Sequence, residues 1–166
     1  DGADGLPLVW STTNFGFSFL DISIFAERGK PMGTVMTVCG PISADQLGIT
    51  MSHVHLLIEL TVSEQKNLMP EMTASQKALY EKPVTIDILG KIRRNYYSVR
   101  EDLILGDIDE AIAELMFFKR MGGRSVVETG LAGIRRDPVG LKEISGATGV
   151  HVICSTGWYI GASHPA

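Results

Sequence analysis

Between Asp107 and Gly157 the chain repeats one pattern, a capped amphipathic segment followed by a short apolar run rich in β-branched residues, and this repetition leaves few architectures open. Ile108, Ile112, Leu115 and Met116 fall at helical spacing behind the cap residue Asp107. Glu110 stands three positions after that cap, and Gly122-Gly123 supplies the stop. The spacing predicts a helix over about 107–121. Residues 125–129 (Ser-Val-Val-Glu-Thr) then read as a buried strand. Asp137-Pro138 places an N-cap and a proline at the first helical position, Leu141 and Ile144 form that helix's buried stripe, and Gly149 closes it. Residues 150–156 read as the next strand, ending at Gly157. Upstream, residues 34–38 form a short strand stopped by Gly40-Pro41, and the apolar run 49–58 reads as the strand that opens the series. Residues 59–106, broken by Pro70 and Pro83, read as a long insertion carrying one or two short helices. Apolar strands alternating with helices are the mark of parallel βαβ units covered on both faces, so the fold class is α/β.

Composition narrows the partners. The 166 residues are 45% hydrophobic and 20% charged, enough for one sizeable core. Fifteen Lys and Arg stand against 19 Asp and Glu, a formal charge of −4, which argues against nucleic acid as a partner. The basic and aromatic run Lys91–Tyr97 is followed at once by Glu101 and Asp102 and reads as a solvated helix face. The apolar stretch 15–26 contains Asp21 and is about a dozen residues long, short of the roughly twenty that span a bilayer, so no membrane span is expected. Cys39 and Cys154 read as small buried hydrophobes, and two unpaired cysteines point to a reducing, cytoplasmic compartment. Residues 1–30 show no clean periodicity and are left unassigned; residues 31–166 form one incomplete domain. The start at Asp1, without Met or a cationic leader, speaks against a secretory signal and for a fragment.

One constellation carries chemistry. In Ser52-His53-Val54-His55, alternation along a strand puts His53 and His55 on one face, about 7 Å apart, while Val54 faces the helix layer. Two imidazoles so placed can converge on one cation; the plainer alternative is a pair of hydrogen-bonded strand histidines. Glu128 and the segment Thr156–Tyr159 end the other two strands, and parallel α/β folds build ligand sites at the carboxyl ends of strands. Glu128 is alternatively a solvated strand terminus or a capping partner. His151 begins its strand and so belongs to the opposite, structural edge; His164, beside Pro165, reads as exposed. Gly130-Leu131-Ala132-Gly133 lacks the third glycine and the acidic residue of a dinucleotide fingerprint, so no nucleotide is expected.

Taken in order, Thr37–Ile42, Leu47–Thr50 and His53–Leu57 resemble the opening of the phosphotriesterase-like family of the amidohydrolase superfamily. The similarity continues through Glu114-Leu115, Val126–Thr129, Gly133–Asp137 and Thr148–Gly157, covering roughly residues 33–161. It implies the N-terminal part, about three βα units, of a (β/α)8 TIM barrel. It also implies that His53 and His55 bind the more buried metal of a binuclear divalent site, usually zinc. The bridging carboxylated lysine, two further histidines and an aspartate belong to later strands. Glu128 then stands beside the ligands as their support, and Asp137 is a helix cap. The implied activity is attack by metal-activated hydroxide on a phosphotriester, lactone or amide-type bond of a small molecule.

Two departures accompany the resemblance. Val54 stands where the family carries Glu, and the chain stops well short of the about 250 residues of a whole barrel. No complete catalytic set is therefore present, and the 166-residue chain is expected to be inactive alone. The competing expectation is a catalytically silent α/β binding or assembly module, whose open sheet edge would favour homo-oligomers.

Overall fold

The β-branched runs come together as one sheet with the strand order β1-β4-β7-β8, in a computed structural model that describes residues 33–61 and 72–161 and the backbone of Phe19–Asp21. His164 and most of residues 1–30 lie outside the described residues. The strands are β1 (Phe19–Asp21), β2 (Thr34–Thr37), β3 (Gly40–Ser43), β4 (Ile49–Val54), β5 (Ile58–Glu59), β6 (Ile104–Leu105), β7 (Gly123–Glu128) and β8 (His151–Cys154). The helices are α1 (Ala74–Tyr80), α2 (Leu89–Ile92), α3 (Ile108–Arg120) and α4 (Pro138–Thr148). Strands β4, β7 and β8 are parallel, as the α/β alternation requires, and β1 joins the outer edge of β4 antiparallel.

Local chemistry sets the helix ends. The Asp107 carboxylate accepts the Glu110 N–H at 3.0 Å, and that of Asp137 accepts the Gly140 N–H at 2.9 Å. Gly149 ends α4 at φ 68°, a left-handed conformation that a Cβ would strain. Asp137→Ala leaves a helix-start donor without its cap, so a loss of about 1 kcal/mol and a Tm lower by about 2–4 °C are expected. Thermal unfolding followed by circular dichroism checks this; an unchanged Tm contradicts it.

Helices α3 and α4 pack side by side on one face of the sheet, closing a core of Leu115, Val126, Leu141, Ile144, Val150 and Val152. Val54 belongs to the same core, which explains an apolar residue between two histidines: its position faces the helices. The β2–β3 hairpin is tied to β8 by the Val38 N–H, which donates to the Val152 carbonyl at 2.9 Å.

Three expectations are corrected. Strand β4 stops at Val54 instead of running on to Ile58, because the Leu56 N–H is taken by the Glu128 carboxylate and the parallel ladder breaks register between Met51 and Val54. Residues 58–59 form the separate strand β5, which pairs antiparallel with β6 and closes the neck of the insertion. Cys39 is exposed and not buried, because it occupies the tight turn between β2 and β3, where Gly40 at φ 115° reverses the chain; Cys154 is half-buried, and both thiols are free. The insertion holds the two short helices α1 and α2 and a small cluster of its own, Ile88, Ile92 and Val99. Lys91, Arg93 and Arg94 are exposed around buried Ile92, the solvated face read from the sequence. Among the described residues, no helix is long and apolar enough to cross a membrane.

Candidate metal site

Parallel strands that carry polar residues at their carboxyl ends gather them along one edge, and here that edge brings His53, His55, Glu128 and Thr129 together. His53 sits on β4 with its ring exposed, and His55 follows directly after the strand, 30% exposed. Their ring centroids are 5.4 Å apart with the planes at 85°, edge against face.

Glu128, the last residue of β7, is only 1% exposed, so the solvated-terminus alternative does not describe it. A carboxylate taken out of water needs donors, and the chain provides two: the Leu56 N–H at 2.5 Å and the Gly130 N–H at 2.7 Å. The same carboxylate lies 3.6 Å from His55 Nδ1, a buried nitrogen with no hydrogen-bond partner among the described residues. Gly130 is required by this packing, since a Cβ there would stand 2.7 Å from a Glu128 oxygen. Gly130, the first residue of the glycine-rich stretch 130–133, thus serves the carboxylate.

Thr129 was not singled out by the sequence. Its N–H and its hydroxyl both donate to the Val54 carbonyl, at 3.0 and 3.1 Å, and the hydroxyl oxygen lies 3.4 Å from His55 Nε2. The only signal for it is adjacency to Glu128 at a strand end. Ser155 completes the edge, its N–H and hydroxyl donating to the Glu128 carbonyl at 3.0 and 2.8 Å. Burial pushes the nearby Cys154 thiol up, with Arg136 opposing and Glu128 adding to the rise. Thr156–Tyr159 lies beyond β8, where Tyr159 N–H donates to the Ala132 carbonyl at 3.0 Å. His151 is at the opposite edge, paired with Ser125.

The arrangement fits a cation bound by imidazoles. A metal-ligating histidine directs its other ring nitrogen at a carboxylate or carbonyl, and the buried Nδ1 of His55 beside Glu128 has this relation. Two imidazoles would fill two of the about four positions that a zinc site needs; among the described residues no group of three His, Cys, Asp or Glu side chains gathers at one point.

Paired histidines and a buried carboxylate at the carboxyl edge of a parallel sheet with helices packed on it stand where α/β proteins build their ligand sites. The sequence profile of the Phosphotriesterase family matches residues 33–166, and the chain belongs to that family. It is similar to the N-acetyltaurine hydrolase of Xenopus tropicalis, 39% identical over 133 residues, covering 80% of this chain and 37% of that protein. The phosphotriesterase-related protein of Nematostella vectensis is 36% identical over 135 residues, with 80% and 38% covered. Among solved structures, a resiniferatoxin-binding protein from Rhodobacter sphaeroides superposes with a TM-score of 0.71 at 38% identity, over 80% of this chain and 36% of that one. The chain thus spans little more than a third of the length of the curated relatives it matches. Its three parallel strands are part of the phosphotriesterase-like barrel, the fold that the sequence resemblance implied.

Proposed function

We propose that the chain contributes the first pair of metal ligands, His53 and His55, to a hydrolase dependent on divalent metal and acting on a small-molecule amide, lactone or phosphotriester. The observation that carries this reading is the convergence of both imidazoles at the carboxyl edge of the sheet, with buried Glu128 behind His55. Zinc is the favoured ion, since neutral imidazoles and hydrolytic chemistry both suit it. Bound there, it supplies a hydroxide near neutral pH and polarises the bond under attack. His53 and His55 hold the ion, Glu128 keeps the His55 ring from turning, and Val54 anchors the pair to the core. The remaining ligand positions are filled from outside these 166 residues, and activity belongs to the closed barrel. Among the three bond types the amide leads, because relatives named N-acetyltaurine hydrolase are 35–39% identical to this chain.

The test is hydrolysis of N-acetyltaurine, a lactone and a phosphotriester by the native gene product before and after dialysis against a chelator. A fall of about a hundredfold or more, restored by zinc, is expected, since a metal supplies several kcal/mol at the transition state. Activity that survives chelation overturns the metal assignment, and no turnover of any of the three overturns the hydrolase reading.

A further inference from the structure

We infer that the amino-terminal edge of the sheet carries a second binding site, an anion pocket for the phosphate group of a small phosphorylated molecule. Strands β7 and β8 begin where helices α3 and α4 end, and between these ends lies an open pocket of about 410 Å³. That volume falls in the range of about 300–1,000 Å³ in which proteins hold small ligands. Lys119, Arg124 and His151 line it together with Gly122, Gly123 and Gly149, so among the described residues every side chain on its wall is basic. Arg124 stands four residues before Glu128 on β7, about 13 Å of strand, which separates the pocket from His53 and His55 at the carboxyl edge.

The donors are held in place by the fold. Lys119 Nζ donates to the Thr148 carbonyl at 2.6 Å, which leaves two of its three N–H groups. Gly149 permits this approach, since a Cβ there would stand 3.2 Å from Nζ. The Arg124 stem lies along Gly48, where a Cβ would be 2.9 Å from Cδ. Among the described residues neither the Arg124 nor the His151 side chain has a hydrogen-bond or ion-pair partner. Capping of the α4 carbonyl end accounts for Lys119 and for neither of the others, which stand at the starts of strands. A guanidinium, an ammonium and an imidazole around one space match a tetrahedral dianion, the fork taking two oxygens and the single donors the third. A carboxylate offers two oxygens in one plane and leaves a donor over.

The experiment titrates the metal-free 166-residue chain with inorganic phosphate and with glycerol phosphate, at an ionic strength held constant with sodium chloride. Heteronuclear NMR follows the amide and imidazole signals. Saturable shifts at Gly122, Gly123, Gly149 and His151 are expected with both probes, at a Kd of about 1 mM or tighter. Arg124→Gln and His151→Gln are each expected to weaken binding about tenfold, the worth of one charge-assisted hydrogen bond, with Arg124→Lys falling between parent and Arg124→Gln. His53→Ala/His55→Ala, distant from the pocket, is expected to stay within about twofold of the parent. Far-ultraviolet circular dichroism checks each fold; should His151→Gln fail to fold, the Arg124 variants carry the same expectation. Shifts that grow without saturating, or that chloride alone reproduces, mean an adventitious ion only and overturn the inference. Saturable binding that ignores the Arg124 and His151 changes, or that is lost in His53→Ala/His55→Ala, places the anion elsewhere and overturns it too. Binding of inorganic phosphate without binding of glycerol phosphate overturns the assignment to a phosphorylated molecule.

Discussion

Zinc retained by the purified 166-residue chain is expected to fall to buffer level when His53 and His55 are both replaced by alanine, with affinity reduced by at least about a hundredfold. An outer partner of a ligand alone contributes about ten- to a hundredfold, and here both direct donors are removed. Each single replacement leaves one imidazole and is expected to fall between parent and double variant. The fold should survive, because the His53 ring is exposed, the His55 ring is partly so, and the core residue between them, Val54, is untouched. Exposed substitutions away from special contacts cost within about 0.5 kcal/mol. Elemental analysis after gel filtration, with far-ultraviolet circular dichroism on the same samples, makes the check. Zinc that stays with the double variant at parental level defeats the assignment.

Glu128→Ala is expected to be the costliest single change at the edge, lowering stability by about 2–4 kcal/mol in urea unfolding. The carboxylate is the acceptor for the Leu56 and Gly130 N–H groups, and each donor left without it costs about 1–3 kcal/mol. Relief from burying a charge works in the opposite direction and holds the net effect below the sum of the two. Glu128→Gln keeps a single acceptor oxygen for two donors and should fall between parent and alanine variant. Stability equal to the parent in Glu128→Ala would show that the two N–H groups find water or other acceptors without cost.

Much of this architecture was readable because its causes are local. The caps at Asp107 and Asp137, the stop at Gly149 and the buried stripe of Leu141 and Ile144 depend on neighbours a few residues away, and the structure reproduces them. The end of β4 depends on Glu128, 72 positions downstream of Leu56, whose reach to Leu56 N–H no periodicity in residues 49–58 encodes. Thr129 escaped notice for the same reason: its contacts with Val54 and His55 exist only once the parallel register sets Val54 opposite Glu128. Cys39 misled because the apolar run around Cys154 suggested burial for both cysteines, while the place of Cys39 in a two-residue turn decides exposure. His53 and His55 were visible by type and spacing. The carboxylate buried behind them was visible only as a polar residue at a strand end.

Strand β1 has a kinetic consequence. It already pairs with Met51, Thr50 and Ile49 of β4, and it runs antiparallel, whereas a barrel extends this sheet with parallel strands. A parallel strand arriving at β4 does not add to a bare ladder; it exchanges with one in place. Growth of the sheet on that side is therefore a displacement reaction, slowed by the backbone hydrogen bonds that β1 must give up.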